Sequence, residues 1–162
     1  MYAIGDKIVC PMHGAGTIEA VEERMVKDMR VSYFVFTASR GDMKILIPCD
    51  DPDSVGVRDI IKKSEVAKVK ATLKAKSSEM TKIWNRRYRD NMEKLKTGNI
   101  NSVSEVVRDL MRVDCEKKLS TGEKKMLSNA KQILISELCL VLAKGEDELN
   151  VLIEQNVMSV VK

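Results

Sequence analysis

The sequence predicts an α+β chain in two parts: a small N-terminal β-barrel over residues 1–57, then an all-α domain of five helices over residues 58–162. Three observations carry this. The apolar period is two residues up to about Val57 and 3.6 residues beyond it. Glycine- and aspartate-bearing turns crowd the first part, whereas Ser-x-x-Glu capping boxes open helices in the second. Charge divides at the same place: residues 1–57 hold six Lys/Arg against nine Asp/Glu, a net −3, and the remaining residues carry +7.

Taken in order, Asp6–Cys10, Thr17–Val26, Arg30–Thr37 and Met43–Ile47 read as short strands rich in Val, Ile, Phe and Tyr. Between them lie turns at His13-Gly14-Ala15-Gly16, Lys27-Asp28 and Arg40-Gly41-Asp42. Pro48 ends the fourth strand because it cannot donate to a ladder, and a last short strand is expected at Ser54–Val57. Strands this short and this closely spaced suggest a small barrel that hides its edges. The Gly14/Gly16 pair is not a phosphate loop, since no Gly-Lys-Ser/Thr follows and Thr17 begins a strand.

Beyond Val57, the apolar residues Val66, Val69 and Leu73 mark a first helix, interrupted by Ser77-Ser78 and Thr81. A second helix contains Trp84 and stops at Thr97-Gly98-Asn99. Ser102-x-x-Glu105 is read as the capping box of a third, with Val103, Val106, Val107, Leu110 and Met111 on one face. Ser120-x-x-Glu123 opens a long fourth, with Leu127, Ala130, Leu134, Leu138 and Val141 inward and Gly145 as its stop. Glu146–Val161 is the fifth. Five amphipathic helices with short links can bury one another.

Composition narrows the function classes. No apolar run approaches ~18 residues, so no membrane span is expected, and the first residues lack the pattern of a secretory leader. The four cysteines, Cys10, Cys49, Cys115 and Cys139, form no C-x-x-C pair, and His13 is the sole histidine. Buried reduced thiols are therefore expected, with no metal and no cofactor. No Ser/His/Asp or Cys/His set stands at a readable spacing, and Asp50-Asp51 lies in a turn-forming loop, so the chain is read as a non-enzyme.

The stretch Ile83-Trp84-Asn85-Arg86-Arg87-Tyr88-Arg89 holds the only tryptophan and three arginines within four positions. Guanidinium groups grip phosphates through a planar fork, and a flat apolar ring can wedge between base pairs. From Lys62 to Arg89 there are ten basic and two acidic residues, a segment that a polyanion would seek. Periodicity also supports a core reading. Trp84, Tyr88, Met92 and Leu95 form one helical stripe, with Lys82, Arg86 and Arg89 a solvated face opposite. Thr81 can cap an earlier helix start and Asn85 a later one, so the pattern leaves the register open. Lys124 and Lys125 fall in the first turn of the fourth helix, where cations oppose the helix dipole, and this hints at a partner anion.

Several motifs occur in order along the whole chain: Gly5-Asp6-Lys7-Ile8-Val9, Pro11-x-His13-Gly14-x-Gly16, Gly41-Asp42-Met43, Ile47-Pro48, Val55-Gly56-Val57-Arg58-Asp59, Trp84-x-Arg86-Arg87-Tyr88, Glu105-Val106-Val107-Arg108-Asp109-Leu110 and Leu119-Ser120-Thr121-Gly122-Glu123-Lys124-Lys125-Met126-Leu127. By these the sequence resembles the CarD/CdnL family of bacterial transcription regulators. The resemblance implies a Tudor-like (SH3-like) barrel that docks on the RNA polymerase β subunit, and a helical domain at the upstream edge of the melted promoter. It implies that Trp84 lies at a helix start, reaches outward and enters the minor groove. Arg86, Arg89 and Lys124 would then contact the DNA backbone, with Arg87 and Lys125 in the same DNA-binding set. On the polymerase side, Arg24 matches a basic position that relatives use, and a second such position is Leu46 here.

The resulting expectation is a monomeric, nucleoid-associated protein of the bacterial cytoplasm that stabilises open promoter complexes without reading base sequence. The competing readings are a general basic nucleic-acid-binding protein with no polymerase contact, and a protein–protein adaptor with no salt-sensitive DNA binding.

Overall fold

A computed structural model of the chain describes residues 2–39, 43–79 and 81–159. The expected turn at Arg40-Gly41-Asp42 and the last two residues of the expected fifth helix lie outside the described residues. Five antiparallel strands come first: β1 (Lys7–Cys10), β2 (Gly14–Val26), β3 (Met29–Ala38), β4 (Lys44–Pro48) and β5 (Arg58–Asp59), in the order β4-β3-β2-β1-β5. β2 and β3 form a long hairpin whose two-residue turn, Lys27-Asp28, has both residues at positive φ, the twist that suits tight hairpins. A bulge between Ile18 and Ala20 bends β2. The bend curls the sheet around Ile8, Ile18, Phe34, Phe36, Ile47 and Val57, all buried. Gly16 stands opposite Ala38 where a side chain would strike the β3 backbone, so only glycine fits there.

One expected strand is corrected. Ser54–Val57 is not extended: Pro52–Val55 forms a 3-10 turn, capped by the Asp51 carboxylate accepting from Ser54 N and ended by Gly56 at φ 80°. The last strand is instead Arg58–Asp59, which pairs with β1 and so carries the sheet past the expected junction at Val57. Proline at the head of Pro-Asp-Ser suits a helical turn, which is the reading the sequence pattern missed.

The helices are α1 (Val66–Lys74), α2 (Trp84–Lys96), α3 (Ile100–Glu116), α4 (Thr121–Leu142) and α5 (Glu146–Met158). The Ser102 box does not open α3. Asn99 does, its side chain accepting from Asn101 N and Ser102 N. Ser120 caps α4 as expected, accepting from Glu123 N. That helix ends on Ala143 in the left-handed conformation, and Gly145 is the N-cap of α5. One apolar core runs through all five helices, from Val66 and Leu73 through Leu95, Val107, Leu110 and Leu134 to Ile153. Of the thiols, Cys10 is buried, Cys49 and Cys139 are half-buried, and Cys115 is exposed, contrary to the expectation for it. No single helix among the described residues is long and apolar enough to cross a membrane.

Two arginines break the apolar face of α3, and their partners explain why. The Arg112 guanidinium donates to the carbonyls of Leu73, Ala75 and Val157 and to Ser77 Oγ at 2.7–3.1 Å. It therefore satisfies the carbonyl ends of α1 and α5 at once, where a cation also meets the negative pole of each helix. Arg108 donates to Thr72 O, to Ser78 Oγ and to the buried Asp109 carboxylate. Together they tie down the chain that leaves α1 and leads to α2.

The sheet and the helices are joined through α4. Ser136 Oγ accepts from Ala15 N at 2.9 Å, and Gly14 packs against Ile133 and Ser136. The nearly inaccessible Glu137 accepts from Arg58 Nη2 and Nη1, at 2.7 and 2.8 Å, and also from Ile61 N. Arg58 Nε reaches Gly98 O. These bonds hold the connecting segment against the helical core.

Candidate nucleic-acid interface

Ile83 is extended (φ −77°, ψ 112°) and Trp84 is the first helical residue of α2. Neither Thr81 nor Asn85 caps the helix; Thr81 Oγ1 accepts from Ile83 N, and no side chain caps α2. The register left open by periodicity is thus settled, and each reading holds for part of the stripe. Leu95 is buried, Met92 and Tyr88 are half-buried against the core, and the stripe emerges into solvent at Trp84, 42% exposed.

The indole is exposed but held. It stacks on Tyr88 with ring centroids 5.4 Å apart and planes 24° from parallel. Its Nε1–H donates to Ser120 Oγ at 2.9 Å. Ser120 is the N-cap of α4, so the indole sits where the N-termini of α2 and α4 meet. Helix N-termini carry partial positive charge and unpaired N–H groups, a setting that favours phosphate.

The cationic residues separate into two groups. Arg86, Arg89, Lys124 and Lys125 are exposed, with no ion-pair partner among the described residues; Lys82, just before α2, is the same. Arg87, expected in the same DNA-binding set, differs from them in having an ion-pair partner. Its side chain turns inward onto Glu123, Nη2 to Oε1 at 2.6 Å and Nε to Oε2 at 2.8 Å. Glu123 is almost fully buried, and this fork-to-fork pair occupies the Nε/Nη2 edge of Arg87 and leaves its side chain 16% exposed.

Arg24 is exposed near the tip of the β2–β3 hairpin and pairs with Glu22 at 3.3 Å. Leu46 is half-buried on β4, the strand at one end of the sheet. Register places them on one face, because Arg24 opposes Val31 and Leu46 opposes Val35, and Val31 and Val35 point the same way. Val26, Met29 and Tyr33 share that outer face, with Met29 68% exposed. Glu22, opposite Tyr33, is on this face too, so Arg24 and Glu22 form an exposed ion pair among apolar neighbours. Sequence reasoning singled out the two ends of this surface but not the apolar residues between them. The hairpin turn at Lys27-Asp28, read together with the strand period, was a signal that could have found them.

Sequence reasoning also missed the residues that support the site. The Ser120/Glu123 box was recognisable as a helix start, yet nothing local shows that its hydroxyl receives an indole. Arg108 and Arg112, four residues apart on an otherwise apolar face, were a readable anomaly. Burial beside Arg108 lowers the pKa of Arg112 from its ordinary value, with Asp109 acting in the opposite direction.

Comparison with known proteins gives concordant results. Residues 2–61 match the family described as "CarD-like/TRCF RID domain", and residues 68–154 match "CarD, C-terminal domain". The chain is similar to the Bacillus subtilis (strain 168) protein called "Putative transcription factor YdeB", 40% identical over 149 residues that cover 92% of this chain and 97% of that one.

Proposed function

The chain belongs to the CarD family of transcription regulators, and from that membership we propose that it binds RNA polymerase and the upstream edge of the promoter bubble, stabilising the open complex. The observation that carries this reading is the half-exposed Trp84 at the meeting point of two helix N-termini, flanked by Arg86, Arg89, Lys124 and Lys125 without ion-pair partners among the described residues. The cations hold phosphates, the indole wedges into the minor groove at the fork, and re-annealing of the bubble is hindered. Phosphate contacts carry no base information, so binding is indifferent to sequence. Nothing in this mechanism requires bond chemistry by the protein.

DNA affinity in the absence of polymerase is expected to be weak and salt-sensitive. Three or four phosphate contacts, from Arg86, Arg89, Lys124 and Lys82, imply a slope of log K against log salt of about −3. Fluorescence anisotropy on two unrelated fork-shaped duplexes measures it. A flat salt response would remove the basic face from the mechanism.

The barrel docks on the polymerase β subunit through the outer face that bears Arg24 and Leu46, with β4 offering a strand edge for pairing. Its net −3 charge suits a protein partner better than DNA. Arg24→Glu is expected to weaken polymerase binding on the order of tenfold or more, since a reversed charge in an interface repels its former partner. Melting temperature and DNA affinity should stay at the parent values. Equal losses of DNA and polymerase affinity in that variant would favour a general nucleic-acid-binding protein instead.

A further inference from the structure

We propose that Ser120 is a positioning residue for the wedge: its hydroxyl fixes the pose of the Trp84 indole, and the buried Glu123–Arg87 pair behind it orients that hydroxyl. This rests on the reading of Trp84 as the wedge. A serine hydroxyl has one proton to donate and two lone pairs to accept with. Here all three are in use. Ser120 Oγ accepts from Trp84 Nε1 at 2.9 Å and from Glu123 N at 3.3 Å, and it donates to Glu123 Oε1 at 3.3 Å.

The direction of that donation matters. If the hydroxyl proton pointed at the indole, two N–H/O–H donors would face each other and the pose would be lost. The Glu123 carboxylate draws the proton inward and leaves a lone pair facing the indole. Glu123 is itself fixed by the two bonds from Arg87, one turn along α2 from Trp84. The cycle therefore closes: α2 supplies the indole and the guanidinium, and α4 supplies the hydroxyl and the carboxylate. This also accounts for the half-buried, ion-paired arginine in an otherwise exposed triplet. Tyr88 packs against one side of the ring, and Gly122 keeps the wall near its Cζ2 edge low.

An exposed tryptophan without such a seat samples several side-chain rotamers, and binding must then freeze it. Holding the ring in place beforehand removes that cost and speeds correct insertion. The expected gain is modest, about 3- to 10-fold in open-complex lifetime, because the hydrogen bond lies at the surface.

The full chain provides its own reporter, since Trp84 is the only tryptophan. Ser120→Gly removes the hydroxyl while glycine remains tolerable at an N-cap, so α4 should stay intact; Ser120→Thr keeps a hydroxyl and serves as the rescue. The Trp84→Phe background removes the indole N–H. Three quantities are read on each variant: acrylamide quenching of tryptophan emission where the indole is present, open-complex lifetime with polymerase, and melting temperature. The expected result is greater quenching and a lifetime about 3- to 10-fold shorter for Ser120→Gly, with both near parent values for Ser120→Thr. In the Trp84→Phe background, Ser120→Gly should cause no further loss of lifetime, the signature of two residues acting as one unit.

Unchanged quenching in Ser120→Gly would overturn the proposal, as would an equal loss of lifetime with and without the indole, which would place the effect on α4. If Trp84→Ala leaves the lifetime untouched, the wedge reading fails, and the quenching comparison still decides whether Ser120 holds the ring.

Discussion

Trp84→Ala is expected to shorten the lifetime of open promoter complexes by roughly 5- to 150-fold, the equivalent of about 1–3 kcal/mol for one aromatic ring stacked or wedged against bases, while polymerase binding through the barrel is expected to persist. The effect is largest at promoters whose bubbles close quickly, because a stabilisation of that size changes the outcome only where the open state is marginal. Stability is the discriminating control. A fully buried tryptophan would cost about 3–5 kcal/mol on truncation. Trp84 is 42% exposed and contributes one ring stack and one surface hydrogen bond, so the expected loss is about 1–2 kcal/mol. Melting curves and lifetimes on the same variant are sufficient. A large fall in melting temperature with an unchanged lifetime would return Trp84 to a purely structural role.

The second large effect is on folding. Arg112→Leu is expected to destabilise the protein by about 3–5 kcal/mol, because a buried polar site stripped of one partner keeps the desolvation cost of the groups left behind. Those groups are the carbonyls of Leu73, Ala75 and Val157, at the ends of two helices, with Ser77 Oγ beside them. At 2–4 °C per kcal/mol for a chain of this size, the melting temperature drops by about 10 °C. Arg112→Lys should recover little of it, since one ammonium cannot reach carbonyls spread around a planar fork. If Arg112→Leu melted like the parent, the carbonyls would have to be satisfied without the guanidinium, and the account of how α1, α5 and the segment into α2 are joined would fail.

The two effects are linked by chain connectivity. Arg108 and Arg112 anchor residues 72–78, and a few residues later the chain turns into α2 at Trp84. The helix that carries Trp84 thus follows a stretch tethered by α3, and its first residue is tethered by the α4 N-cap. That arrangement presents an aromatic ring to solvent without leaving it loose.

Much of the architecture was legible because it depends on near neighbours. A period of two followed by a period of 3.6 separates strands from helices, since side chains alternate on a strand and recur every turn on a helix. The Ser120 box, the Lys27-Asp28 turn and the apolar faces of α3 and α4 all followed from residues within a turn or two of one another. Local reading failed where two local signals competed: Asn99 and Ser102 both qualify as caps, and only the chain direction after Gly98 selects Asn99. Ser54–Val57 reads as a strand by its own residues, whereas the proline and capping aspartate just before it favour a turn.

By itself, then, the sequence determined that strands precede helices, the −3/+7 division of charge and the short stretch that holds Trp84 beside three arginines. Periodicity sets Arg86 and Arg89 on a solvated face, and only tertiary structure decided what Arg87 meets. Arg86, Arg87 and Arg89 are indistinguishable by composition, and what separates Arg87 is a carboxylate 36 residues away in sequence. Likewise the exposure of Trp84 depends on where Ser120 stands, and the shared face of Arg24 and Leu46 depends on strand register. Ion pairs and buried hydrogen bonds have short range and strict geometry, so which residues form them is settled by the packing of distant elements and not by local pattern.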